Sequence, residues 1–163
     1  MADKVPSFEG YVPSSEKSSR SKKANRKTGT KHEIMLQHTL WHMGLCYRKN
    51  IKDLPGKPDI VFRSLKIAIF CDGDFWHGRN WGLLKAKLQK GSNSSYWIAK
   101  IESNIKRDIR NNLLLEKNGW YVIRVWEGDI MENTDRIANK IKDIVIQRKT
   151  NKRGIVIDQT TKA

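Results

Sequence analysis

A chain of 163 residues has room for one domain with tails and hardly for two. Its 32 Lys and Arg against 17 Asp and Glu leave a net charge of +15, which argues against an acidic signalling domain and points to a polyanion, nucleic acid first. Two cysteines, Cys46 and Cys71, exclude a disulfide scaffold or a four-cysteine zinc site. Met1-Ala2-Asp3-Lys4 opens no apolar signal segment, and no apolar run approaches the roughly 18 residues of a membrane span. The expectation is a cytoplasmic, DNA-associated protein with no membrane contact.

The charge is uneven. Residues 1–30 hold seven basic and three acidic residues and six serines, with almost no large aliphatics, too little apolar surface to offset ordering entropy. Residues 1–29 therefore read as a basic, flexible arm, residues 30–146 as the folded domain, and residues 147–163, with five basic residues and one acidic, as a basic tail. Without the tails the charge is still +7, so the folded part is basic in its own right.

Along the domain, Thr30 and Glu33 read as a capping box opening a helix that ends at Gly44, with Ile34, Trp41 and Leu45 at helical spacing and Leu36 and Leu40 beside them. Extended segments are predicted at 45–48, 59–62 and 65–71, separated by Pro55-Gly56-Lys57-Pro58 and Arg63-Ser64. A short helix fits 83–89. A long one runs from Ser95 to about Asn118, with Ile98, Ile101, Ile105 and Leu113 as its stripe. Residues 120–126 alternate like a half-buried strand, and Asn133 or Thr134 caps a last helix bearing Ile137, Ile141 and Ile144. The order α-β-β-β-α-β-α implies an α/β fold, a mixed β-sheet flanked by helices.

The chemistry concentrates at two strand ends. Asp59 follows Pro58 at the mouth of an apolar strand, where it reads either as a turn aspartate or as a metal ligand. The next strand runs into Cys71-Asp72-Gly73-Asp74-Phe75-Trp76-His77, which brings Cys71 and Asp72 near Asp59 and allows the Gly73 turn to fold His77 back. Mg²⁺ takes oxygens from one or two carboxylates and keeps waters, so Asp59 and the backbone carbonyl of Cys71 are its candidate ligands, with Asp72 as a further one. His77 suits a general base, against the alternative of a loop histidine stacked on Trp76. Asp108 falls on the inward side of its helix, seven residues after Ile101, with Asn104 one turn earlier; it can orient His77 or pair with Lys106 or Arg107. The capping box accounts for Glu33, and a catalytic role is equally open.

Four pieces in order, Leu54-Pro55-Gly56-Lys57-Pro58-Asp59, Phe75-Trp76-His77-Gly78, Lys100 to Asp108, and Gly119-Trp120 with Val125-Trp126-Glu127, resemble the very-short-patch-repair (Vsr) DNA endonucleases. The similarity covers roughly residues 30–146. It implies a restriction-endonuclease-like core, related to the PD-(D/E)xK nucleases, that uses Mg²⁺ to nick one strand of double-stranded DNA beside a T:G mismatch. By position it makes Glu33, Asp59, His77 and Asp108 the catalytic set and Phe75-Trp76 a wedge between bases. Arg20, Lys22, Lys23 and Arg107 are candidate DNA contacts, and a nickase of this kind can act as a monomer.

The departures are specific. The family's type member holds a structural zinc where this chain has Asp74, Arg79, Trp81 and Gly128, so no structural zinc is expected. Cys71-Asp72 replaces Thr-His, and Ala24 stands near the place of a wedge methionine. Two alternatives stay open at this level: a restriction or homing-type endonuclease on intact duplex, and a non-catalytic DNA-binding protein.

Overall fold

A computed structural model describes residues 28–160, with side chains through residue 152. In chain order they form α1 (Lys31–His42), β1 (Arg48–Lys49), β2 (Ile60–Phe62), a 3-10 turn (Arg63–Leu65), β3 (Ile67–Asp72), α2 (Trp81–Gln89), α3 (Ser94–Lys117), β4 (Tyr121–Trp126), α4 (Glu127–Glu132) and α5 (Thr134–Thr160). The sheet order is β1-β2-β3-β4, antiparallel between the first three strands and parallel between β3 and β4. A parallel pair needs a crossover, supplied by α2 and α3.

All six residues of β3 are buried, as befits a strand covered on both faces. Their alternation divides the interior. Ile67, Ile69 and Cys71 face a core built with Leu36 and Leu40 of α1, Ile130 of α4, and Ile137, Ile141 and Val145 of α5. Ala68 and Phe70 face a smaller cluster with Leu115 of α3, Leu54, Trp120 and Val122. Two helical layers thus enclose the sheet, and the chemistry-bearing ends of β2 and β3 lie between them.

Several boundaries differ from the sequence pattern. The first predicted strand contracts to Arg48–Lys49, while Leu45 enters the core in irregular chain. Residues 127–132, not foreseen as helical, form α4. The last helix continues past residue 146 to Thr160; there Arg148 donates to the Leu65 carbonyl at 3.1 Å and Lys152 to that of Ser64 at 2.9 Å. Asn133 is its cap, accepting the Arg136 N–H at 2.9 Å.

Two predicted stripes are corrected. On α1 the buried face is Glu33, Leu36, Gln37 and Leu40, whereas Ile34 and Trp41 are exposed. That face is rotated roughly 100° from the Ile34–Trp41 line, which puts Glu33 over the sheet. On α3 the inward residues are Tyr96, Ile101, Asn104 and Leu115, with Ile98 and Ile105 half-buried. Leu113, roughly 120° around the helix from Ile101, is exposed.

Candidate active site

The antiparallel register Ile60↔Ile69 places Asp59 beside the end of β3. Its N–H donates to the Ile69 carbonyl at 3.0 Å, and its Oδ2 accepts the Cys71 N–H at 2.7 Å. Burial, reinforced by the negative charges of Glu33 and Asp72 nearby, pushes the Asp59 carboxyl up to about 7 despite that hydrogen bond. Glu33 reaches the same region from the first turn of α1. The expected capping box is not formed: the Thr30 hydroxyl makes no cap to the helix and instead donates to Glu33 Oε1 at 2.8 Å, while Gly29 N–H donates to Oε2 at 2.7 Å.

His77 arrives on the loop after β3. Its N–H closes a turn on the Gly73 carbonyl at 3.1 Å. Gly78 has φ +70°, and a Cβ there would lie 2.7 Å from Ile105 Cδ1, so only glycine lets the loop seat directly on α3. Asn104 donates from Nδ2 to the Trp76 carbonyl at 2.9 Å, which makes it a brace for the loop. So held, His77 places Nδ1 2.6 Å from Asp108 Oδ2, across 31 positions of sequence. Burial by itself would raise the Asp108 carboxyl; the His77 hydrogen bond and the charges of Arg124, His77 and Arg107 outweigh it and hold the group below the usual carboxylate value. Arg107 lies 3.3 Å from Asp108 Oδ1, a longer contact than that to His77.

A histidine paired with one carboxylate and lying near a buried aspartate at two strand ends is a set of groups able to move a proton from water. The family description "DNA mismatch endonuclease Vsr" matches residues 12–83. The type II nicking enzyme V.NmeDIP of Neisseria meningitidis serogroup C is 43% identical over 122 residues, covering 75% of this chain and 81% of that protein. The type II nicking enzyme V.HpaIIP of Haemophilus parainfluenzae is 41% identical over 127 residues, covering 78% and 89%. The DNA mismatch endonuclease Vsr of Escherichia coli strain K12 is 35% identical over 114 residues, covering 69% and 71%. The chain belongs to the Vsr endonuclease family. It is therefore a DNA endonuclease, and its mixed sheet with flanking helices is the restriction-endonuclease-like α/β fold of that family.

Two further groups that the sequence pattern did not reveal join this candidate site. His32, buried at the start of α1, sets Nε2 3.1 Å from Thr30 Oγ and 3.4 Å from the Cys71 carbonyl, and Nδ1 3.6 Å from Glu127 Oε1. Arg124, at the middle of β4, donates from Nε and Nη2 to the two oxygens of Asp72 at 2.5 and 2.7 Å. A signal existed for Arg124: an arginine inside Tyr-Val-Ile-Arg-Val-Trp is a charge in a half-buried strand, which demands a partner. No comparable signal marks His32.

Asp74, Arg79 and Gly128, three of the four positions expected not to form a zinc site, converge. Arg79 pairs with Asp129 at 2.5 Å and with Asp74 at 3.4 Å, and Asp74 accepts the Gly128 N–H at 3.3 Å. A Cβ at Gly128 would fall 2.6 Å from Arg79 Nη1, so glycine leaves the space that this ion-pair cluster fills. The cluster ties the His77 loop to α4.

Phe75 is exposed and Trp76 half-buried on that loop, packed edge-on at 5.2 Å. Trp97 of α3, which the sequence reading did not single out, stands 5.5 Å from Phe75 and 5.8 Å from Trp76. Arg107 is exposed on the neighbouring turn of α3. Arg20, Lys22 and Lys23 lie outside the described residues. Among the described residues no helix is long and apolar enough to cross a membrane.

The donor set fits a hard cation. Among the described residues no three His, Cys, Asp or Glu side chains converge to enclose an ion. Asp59, destabilised as a carboxylate by burial and by Glu33 and Asp72, gains from a nearby cation, and the Cys71 carbonyl adds a second oxygen. One carboxylate and one carbonyl suit Mg²⁺, which retains waters and takes substrate phosphate as a ligand.

Proposed function

We propose that this endonuclease is Mg²⁺-dependent and nicks one strand of double-stranded DNA beside a T:G mismatch, inside the cell and as a monomer. The observation that carries the reading is the 2.6 Å contact between His77 Nδ1 and Asp108 Oδ2 next to the buried Asp59. Asp108 accepts the Nδ1–H, which leaves Nε2 as the basic nitrogen. His77 Nε2 takes a proton from the attacking water as its oxygen bonds to phosphorus, one bridging P–O bond breaks, the departing oxygen takes a proton from solvent water, and the anionic Asp108 stabilises the imidazolium that results. Asp59 and the Cys71 carbonyl would hold Mg²⁺; Asp72, whose two oxygens are both taken by Arg124, is not counted among the ligands. Bound there, Mg²⁺ supplies Lewis-acid stabilisation of the charge on the scissile phosphate. Glu33 fixes the start of α1 against the site.

Nicking is supported by the names of V.NmeDIP and V.HpaIIP, and mismatch by that of the Escherichia coli relative. One active centre suffices for one strand, which supports the monomer. Exposed Phe75 and half-buried Trp76, backed by Trp97, supply aromatic surface for stacking at an opened base step.

The test is strand-specific cleavage of paired T:G and T:A oligonucleotide duplexes with randomised flanks, with and without Mg²⁺. Mg²⁺-dependent nicking of one strand of the T:G duplex is expected. Equal cutting of both duplexes would move the enzyme to the restriction or homing-type reading, and undiminished cutting in EDTA would remove the metal.

A further inference from the structure

Arg124 is the most heavily engaged cation in the site, and no step of the proposed reaction uses it. It stands opposite Phe70 in the parallel β3–β4 register, and its guanidinium lies 4.7 Å from the centre of the Phe70 ring. Nε and Nη2 form a two-pronged pair with Asp72, at 2.5 and 2.7 Å, and Nη1 donates to Asn112 Oδ1 at 3.0 Å. Nη2 is also 3.3 Å from Asp108 Oδ2 and 3.5 Å from His77 Nδ1. The Asp72 side chain is only 4% exposed and that of Arg124 19%.

The geometry points to Arg124 as a positioning residue that selects which carboxylate orients His77. Two carboxylates compete for His77 Nδ1: Asp108 at 2.6 Å and Asp72 at 3.5 Å. A planar guanidinium can saturate both oxygens of one carboxylate at once, which an ammonium cannot. With Asp72 so occupied, Asp108 is the acceptor left for Nδ1–H, and the contact from Nη2 holds Asp108 in line. Without the guanidinium, Asp72 would be a buried, uncompensated carboxylate beside the imidazole, free to draw the ring away from Asp108. All three guanidinium nitrogens already have partners within the protein, so Arg124 acts through His77 and not by gripping phosphate. This use of Asp72 as the counter-ion of Arg124 also leaves metal binding to Asp59 and the Cys71 carbonyl.

The inference rests on the reading of His77 as the base, and the experiment separates the two. Single-turnover nicking and DNA binding are measured for Arg124→Gln, Arg124→Lys, Asp72→Asn and the double variant Asp72→Asn/Arg124→Gln, with His77→Ala as the reference. Arg124→Gln is expected to lower kcat by roughly 10- to 100-fold, the usual cost of losing a residue that orients a catalytic group, with KM nearly unchanged. Arg124→Lys keeps the charge without the fork and is expected to recover only part of that loss. Adding Asp72→Asn to Arg124→Gln is expected to restore activity, because the competing carboxylate is then gone. Nitrogen NMR of the His77 ring is expected to show hydrogen on Nδ1 in the wild type and a mixture of tautomers in Arg124→Gln.

Wild-type kcat in Arg124→Gln alongside an inactive His77→Ala would overturn the role of Arg124 alone. A loss confined to KM, or a double variant no better than Arg124→Gln, would overturn it as well. Should Arg124→Gln fail to fold, the His77 ring spectrum and kcat of Arg124→Lys decide: wild-type values in both would overturn the inference. Wild-type cleavage by His77→Ala would instead defeat the underlying reading.

Discussion

The Asp59 carboxylate accepts the N–H of Cys71, so one strand-to-strand contact of 2.7 Å ties together the two residues proposed to hold the metal. Its rigidity comes from position: Asp59 is anchored at the mouth of β2 by its N–H to the Ile69 carbonyl, and Cys71 is paired with Val125 of β4. The arrangement is costly for the metal-free protein, because it keeps a carboxylate where burial and two neighbouring acids disfavour ionisation.

That cost has a pH signature. Asp59 is raised from 3.8 to about 7 in the folded chain, so the fold binds its proton more tightly than the unfolded chain does. Its contribution to stability is full below the ordinary carboxyl value and is lost as pH rises through about 7. In EDTA, Asp59→Asn is expected to melt close to wild type at pH 4 and above it at pH 8, by about a few °C, while cleaving no DNA. Mg²⁺ is expected to raise the wild-type melting temperature more at pH 8 than at pH 6 and to leave Asp59→Asn unmoved. Thermal melts across pH, with and without Mg²⁺, check both; a variant less stable than wild type at pH 8 would contradict the account.

His77→Ala is expected to abolish nicking while DNA affinity stays near wild type, since a net charge of +15 does the holding. Asp108→Asn preserves the shape but can offer its amide N–H to Nδ1 and favour the wrong tautomer. Its kcat is expected to fall by roughly 10²- to 10⁴-fold with little change in KM. Single-turnover cleavage and equilibrium binding of the same duplex are the measurements.

Arg79→Ala removes the tie between the His77 loop and α4. The ion pairs are solvent-screened, so the stability loss is expected to be small, whereas nicking falls more than stability because the loop carries Phe75, Trp76 and His77. With a guanidinium at the centre of this cluster, elemental analysis is expected to find no stoichiometric zinc. One zinc per chain would show that Asp74, Arg79, Trp81 and Gly128 are not the matching positions.

Phe75→Ala combined with Trp76→Ala is expected to reduce the preference for T:G over T:A more than it reduces Mg²⁺-dependent cutting as a whole. A mispaired step is cheaper to open, and the aromatic surface exploits that difference. The ratio of the two initial rates is the readout; an unchanged ratio would assign mismatch selection to other residues.

The arm is tested through salt. Each phosphate contact on duplex DNA steepens the fall of log K with log salt by about 0.9. Replacing Arg20, Lys22 and Lys23 together by Ala is expected to flatten the slope by up to about 2.7 while basal cutting at low salt persists. An identical slope would place these three residues off the DNA.

Sequence alone determined what short-range chemistry encodes. The basic charge, the Asn133 cap and the ordered blocks around Asp59, His77 and Asp108 are legible within windows of a few residues. Tertiary structure decided which helical face turns inward: α1 offers two apolar lines, and Leu36 and Leu40 prevail over Ile34 and Trp41 because they join the core formed with Ile67 and Ile69, and that packing carries Glu33 to the site. It likewise decided the partners of Arg124, whose contact with Asp72 spans 52 positions and exists only because β3 and β4 run parallel in the register Asp72↔Trp126. Local propensity indicates roughly where elements lie, and packing sets their ends, as the shifted first strand and the unforeseen α4 show. Which charges meet depends on strand register and crossover, properties of the assembled sheet that no local window contains.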